Sequence, residues 1–395
     1  MSKQLFHIIG ISDEQTCEFS PEVLKVIAAG KFFSGGVRHY EIISNLLPAG
    51  AKWIDITTPL DNVFSQYEGV PEIVVFASGD PLFFGFANTI RARLPKANIV
   101  LYPTFNSLQM LAHRMLLPYH DMKVISLTGR PWDLFDQALI EGEKLIGVLT
   151  DRNKTPSRIA ERMLEYGYDN YRMTVGEVLG NREKERVRTF SLSEVIKMEF
   201  VLPNCLILEK EEDRLRPFGI PESDFHLLGG RVNMITKAPV RLLTLSMLDL
   251  HNKHSFWDVG FCTGSVSIEA KLQFPHLQVI AFEKREEGRE LMNQNARRFG
   301  TPGITTSIGD FLQTDLSSFP APDAVFIGGH GGELKKILHK INRVLLPGGV
   351  IVFNAVSENS KELFIEGIGE INRTVTRLMR VAIDSFNPID IMKAE

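Results

Sequence analysis

Cysteine is scarce in this chain: three in 395 residues, at Cys17, Cys205 and Cys262, with no C-x-x-C pair. That spacing excludes a disulfide framework and offers no zinc ligand set, and no metal site is expected. It suits a reducing, cytoplasmic setting. The N-terminal MSKQLFHIIGI runs directly into a strand-like apolar stretch and lacks the long apolar region and cleavage site of a signal peptide. No run of about 18 apolar residues occurs, so no membrane-spanning helix is expected. Charge of neither sign dominates, with 44 Lys and Arg against 48 Asp and Glu and a net charge of -4. Nothing draws the whole surface to nucleic acid or to anionic lipid, and a polyanionic substrate needs a local basic pocket. Internal repeats and low-complexity tracts are also missing.

What is present is a soluble, globular composition, 44% hydrophobic and 23% charged, at a length that asks for two or three domains. Short β-rich apolar runs alternate with helical patterns almost throughout, which gives an α/β fold. In the first half the expected strands are 5–11, 53–57, 73–77, 98–102, 122–126 and 145–150. Ser20-Pro21 and Thr155-Pro156 open helices as N-cap and first helical proline. The charged, proline-containing segment 209–223 lacks apolar periodicity and reads as a linker. The domains are therefore expected at 1–212 and 213–395. Beyond the linker, strands at 255–259, 278–282, 304–308, 324–327 and 350–354 alternate with helices, and two extended segments close the chain. This is the pattern of a doubly wound sheet.

The segment 258–270, DVGFCTGSVSIEA, is strand, tight turn and helix. Gly260 and Gly264 allow a sharp turn and close ligand approach. The next strand ends in Glu283, placed to accept both hydroxyls of a ribose. A dinucleotide fingerprint would read G-x-G-x-x-G, and Cys262 breaks it. Adenosylmethionine, which has no phosphate, fits the G-x-x-x-G turn with its preceding aspartate better. Phe261, Cys262 and Thr263 complete that turn. A second loop at the same sheet edge surrounds His330 with four glycines, 328, 329, 331 and 332. That histidine is a general acid–base candidate or a hydrogen-bond donor to a carboxylate. Thr236 fits a helix N-cap, and Lys237 and Arg241 fall one turn apart as a basic pair suited to a carboxylate-rich substrate. In the first half, GGVRH (35–39), ASGDPLFFG (77–85) and PTFNS (103–107) recur at successive strand ends, which favours one shared ligand crevice.

These motifs carry a resemblance. The first part of the chain, through IIGIS, GGVRH, ASGDPLFFGFA, PTFNS, SLTGR, VLTDRNKTPSRIA and PNCLIL, resembles the tetrapyrrole (precorrin) methylases. The second, through FGIPESDF, TKAPVR, DVGFCTGSVSIEA, AFEKR, DAVFIGGHGG and LLPGGVIVFNAV, resembles the Rossmann-like precorrin methyltransferase/decarboxylases. Their order is that of the bifunctional decarboxylating enzymes of cobalamin synthesis. The resemblance implies a two-lobed first domain, a doubly wound second domain and two S-adenosyl-L-methionine sites. It implies methylation of carbons 5 and 15 of a precorrin-6 macrocycle, with loss of the carboxyl of its carbon 12 acetate arm, giving precorrin-8. Cofactor positions would be Gly10, Ser78, Gly79, Asp80, Asn106 and Ser107 in the first module. In the second they would be Thr236, Gly260, Phe261, Cys262, Thr263, Gly264, Glu283, Asp310 and Phe311. His330, Lys237 and Arg241 are the catalytic candidates, His330 as proton donor in decarboxylation and the basic pair as carboxylate holders. The expected partner is a precorrin or cobalt-precorrin, with no nucleic acid and no membrane, and the resemblance implies a homo-oligomer. The alternative reading is a methyltransferase of another small molecule or of RNA, with a non-catalytic first module. Ser12, Cys262 and His330 depart from the pattern of the resemblance.

Overall fold

The computed structural model describes residues 4–12, 19–231, 234–383 and 388–395. Cys17 lies outside them. The chain divides into two compact units, one of residues 1–130, 144–160 and 171–210, the other of 131–143, 161–170 and 211–395.

The first unit holds two five-stranded sheets. One is built from β1 (Leu5–Ile11), β2 (Phe32–Gly35), β3 (Lys52–Asp55), β4 (Glu72–Ser78) and β5 (Asn98–Tyr102), in the order β3-β2-β4-β1-β5. Every pair is parallel. Parallel strands need helices on both faces, and the central β1 and β4 read as near-continuous apolar runs for that reason. Helix 21–29 starts as the sequence foretells, with Pro21 in its first turn and the Ser20 hydroxyl accepting from the Val23 nitrogen. The second sheet comprises β6 (Lys123–Ser126), β7 (Leu145–Leu149), β8 (Tyr171–Glu177), β9 (Arg186–Ser191) and β10 (Asn204–Lys210), ordered β6-β7-β10-β8-β9. Only β6 and β7 run parallel in it; the other pairs are antiparallel.

The second unit is a seven-stranded sheet of β11 (Ser255–Val259), β12 (Gln278–Glu283), β13 (Ile304–Ile308), β14 (Ala324–Ile327), β15 (Val350–Ala355), β16 (Val375–Val381) and β17 (Ile389–Ala394). Its order is β13-β12-β11-β14-β15-β17-β16, parallel through β15 and antiparallel at the last two strands. The strand order reverses between β11 and β14, which opens a crevice at their carboxyl ends. Two apolar clusters cover the faces, one around Trp257, Phe282 and Phe353, the other around Phe256, Phe326 and Leu248. Among the described residues no helix is long and apolar enough to cross a membrane.

The segment read as a linker is partly tied down. The nitrogens of Gly219 and Ile220 donate to the two oxygens of Glu269, and Ile220 is buried.

Candidate active site

In the second unit the switch point opens into a cavity of about 820 Å³ lined by the turns at 260–263, 309–312 and 328–331 and by the start of helix 238–248. The turn after β11 carries Gly260, Cys262 and Gly264 at positive φ. A Cβ on Gly260 would sit 2.6 Å from the Gly329 nitrogen, so glycine here lets two loop backbones touch. Cys262 holds its left-handed backbone with help from its thiol, 3.1 Å from the Met234 carbonyl oxygen.

Glu283 ends β12 at the cavity wall. One of its oxygens accepts from the Cys262 nitrogen at 2.9 Å, the other from the nitrogens of Lys284 and Arg285 at 3.0 and 3.1 Å. The carboxylate is thus locked to the turn it faces. Asp258, in the sequence only the aspartate that precedes the turn, also lines the cavity. It is fully buried and takes a 2.6 Å hydrogen bond from the Ser267 hydroxyl on Oδ2, while Oδ1 has no partner among the described residues. Burial, followed by the nearby Glu283 charge, pushes its carboxyl up to about 7.

The turn after β13 contributes Asp310 and Phe311 to the wall. Lys340 fixes it, its ammonium donating to the carbonyls of Phe311, Leu312 and Thr314 at 2.6–2.9 Å. No sequence motif marks Lys340; only the fold brings it under that turn.

His330 lines the cavity half-buried. Its Nδ1 accepts from the Gly332 nitrogen at 3.2 Å, which leaves Nε2 as the protonated nitrogen of the neutral ring. Burial holds its pKa below the ordinary histidine value.

The basic pair expected at the helix start is split. Lys237 lies in the cavity wall, as does Thr236, but Lys237 rather than Thr236 is the N-cap, with extended backbone. The Ala238 nitrogen donates to the Glu222 carboxylate instead of to a local cap. Because an N-cap is outside helical geometry, helix periodicity does not carry Arg241 to the same side. Arg241 is fully buried beside Glu269, 3.1 Å away, and donates to the carbonyls of Thr236 and Ile220. It does not reach the cavity, and its expected role as carboxylate holder is corrected to one of positioning the wall.

In the first unit, the ends of β1, β4 and β5 meet. Gly79 takes positive φ, its nitrogen donates to the Ile11 carbonyl, and a Cβ there would meet Asn106 Cα at 2.9 Å. A side chain at Gly10 would collide with the Gly79 carbonyl. Asp80 accepts from the Leu82 nitrogen across its own turn. The Asn106 side chain caps helix 107–115, accepting from Gln109 at 2.9 Å while Gln109 returns the bond, and Ser107 is the first residue of that helix.

Two families divide the chain. The tetrapyrrole (corrin/porphyrin) methylases match residues 7–196, and the precorrin methyltransferase domain matches 231–394. A precorrin-6Y C(5,15)-methyltransferase [decarboxylating] from Sinorhizobium sp is 30% identical over 386 residues, covering 97% of this chain and 91% of that protein. The chain belongs to the decarboxylating precorrin-6Y C(5,15)-methyltransferase family. As a member of this family it is a decarboxylating, S-adenosylmethionine-dependent methyltransferase of cobalamin biosynthesis. A cobalt-precorrin-6B C(15)-methyltransferase (decarboxylating) from Salmonella typhimurium is 34% identical over 168 residues, 42% of this chain and 85% of that one. Among solved structures, a precorrin-6y C5,15-methyltransferase from Geobacter metallireducens is 32% identical over 45% of this chain and 97% of its own, with a TM-score of 0.42.

Proposed function

We propose that residues 1–212 and 213–395 are two methyl-transfer modules, each with its own S-adenosylmethionine site. The first methylates carbon 5 of the precorrin macrocycle. The second methylates carbon 15 and removes the carboxyl of the carbon 12 acetate arm. The observation that carries the second assignment is the meeting of Asp258, Glu283 and the Gly260–Gly329 contact in one cavity. These residues fit the cofactor. The unpartnered Oδ1 of Asp258 would pair with a cationic group, and Glu283 with a ribose; the Asp310-Phe311 turn would hold the base. When bound, the cofactor supplies an electrophilic methyl group.

Transfer of that group to an electron-rich ring carbon is an in-line displacement that asks for alignment and exclusion of water rather than acid–base help. The chain offers glycine-lined walls for it, where two loop backbones touch. Decarboxylation must also deliver a proton, and His330 is the donor we assign, with Lys237 holding peripheral carboxylates. Replacing His330 with alanine is expected to slow decarboxylation more than carbon 15 methylation, as read by the mass of the product. Because burial lowers the His330 pKa, the wild-type decarboxylation step should quicken as pH falls below 7 and the acid form grows, and His330→Ala should lose that dependence. Equal loss of both steps removes His330 from the chemistry.

Calorimetry of the full chain with adenosylhomocysteine tests the two-module reading. Two sites per chain are expected, and a single site overturns it. Sedimentation measures the expected homo-oligomer.

A further inference from the structure

The motif GGVRH is not absorbed by the cofactor assignments above. Strands β2 and β4 are neighbours, with Phe33 opposite Val74 and Ser34 opposite Val75, so the two loops that follow them emerge side by side. There the Arg38 Nη2 and the His39 Nε2 both stand 2.9 Å from the Ser78 hydroxyl oxygen.

The Gly36 nitrogen donates to His39 Nδ1 at 3.2 Å, so that nitrogen bears a lone pair and the neutral ring carries its hydrogen on Nε2. Burial and the Arg38 charge push the His39 pKa down to about 4, which keeps the ring neutral at ordinary pH. Imidazole Nε2–H and guanidinium therefore both donate to Ser78. Neither can accept the serine proton, which rules out a serine nucleophile activated by His39. The hydroxyl hydrogen must leave this cluster, and among the described residues Ser78 has no acceptor for it. Ser78 is exposed at the carboxyl end of β4, beside Gly79 and Gly10.

We propose that Ser78 is a polarised hydroxyl donor for a carboxylate of the ligand in the first module, with Arg38 and His39 as its positioning residues. Two donors on its oxygen strengthen the bond its hydrogen makes, and the adjacent guanidinium favours an anionic acceptor. Carboxylates arrive from two sources, the acid arms of the macrocycle and the aminoacyl end of the cofactor. The inference rests on assigning a methyl-transfer site to the first module.

The full-length chain is assayed for methylation at carbon 5, with carbon 15 methylation on the same molecule as the control for folding. Ser78→Ala is expected to weaken one ligand about 10- to 100-fold, and Ser78→Thr, which keeps the hydroxyl, to recover most of it. If the macrocycle supplies the carboxylate, its KM rises and the inhibition constant of adenosylhomocysteine against carbon 5 methylation stays put. If the cofactor supplies it, that constant rises, whereas the constant for the decarboxylated analogue of adenosylhomocysteine does not. His39→Ala should reproduce part of the same loss in the same constant. Unchanged constants, equal weakening of the analogue that lacks the carboxylate, or no recovery by threonine would each overturn the anchor. A wild-type chain that methylates only carbon 15 would instead overturn the module assignment, and the anchor with it.

Discussion

Replacing Asp258 with asparagine is expected to leave the second module at least as heat-stable above pH 7 while weakening its hold on adenosylhomocysteine about 10- to 100-fold. The two effects have one origin. Asp258 is buried in the lining of the cavity with one oxygen bonded to Ser267 and the other unpartnered among the described residues. Its carboxyl is pushed up to about 7 from an ordinary 3.8 by desolvation. A difference of that size corresponds to on the order of 4 kcal/mol set against folding once the group ionises.

The pH window follows from the direction of the shift. Below the ordinary carboxylate value both folded and unfolded chains are protonated and Asp258 costs nothing. Between about 4 and 7 the unfolded chain gives up its proton and the folded chain keeps it, so stability falls as pH rises. Above 7 both are ionised and the full penalty stands. A cationic ligand group at Oδ1 reverses the balance by favouring the carboxylate. Cofactor binding should then expel a proton below pH 7, and affinity should climb with pH to about 7 and level off. Scanning calorimetry from pH 5 to 8.5, with titrations in two buffers of different ionisation enthalpy, reads both slopes. Asparagine should flatten both. An Asp258→Asn chain that binds adenosylhomocysteine as tightly as wild type would show that the unpartnered oxygen faces no ligand.

The second module was legible in the sequence because its strands and helices alternate with clear punctuation, and because the turn after β11 keeps strand, ligand loop and helix within one continuous segment. Glu283 was legible for the same reason: it closes the next strand in the same sheet. What stayed hidden depends on which strands lie side by side. The Arg38–Ser78 contact exists because β2 pairs with β4, an adjacency that chain order does not give. Lys340 reaches the 310–314 turn across a strand and a loop. The pairing of β10 with β7 and β8 was hidden likewise, since it joins segments well separated along the chain. Asn106, expected at a cofactor position, uses its side-chain oxygen to cap helix 107–115.

Arg241 shows how a pattern that is correct locally can point the wrong way, and its replacement should give the largest loss of stability in the chain. One turn from Lys237 in sequence, it would share a face with it only if both were helical, and Lys237 is not. Arg241 instead satisfies Glu269, and Glu269 accepts the nitrogens of Gly219 and Ile220, so four segments meet at one buried pair. Cutting the arginine back to methionine leaves a buried carboxylate with two backbone donors and no counter-charge, at a cost of about 3–5 kcal/mol. Arg241→Met should therefore lower the melting temperature of the second module and leave carbon 5 methylation by the first intact. The double variant Arg241→Met/Glu269→Leu removes both charges and should regain part of the loss, although Gly219 and Ile220 then lack their acceptor. Surviving carbon 15 activity should show a macrocycle KM close to wild type, because the guanidinium touches wall carbonyls and not ligand. A variant that melts like wild type with a KM raised tenfold or more would return Arg241 to the role its sequence position first implied.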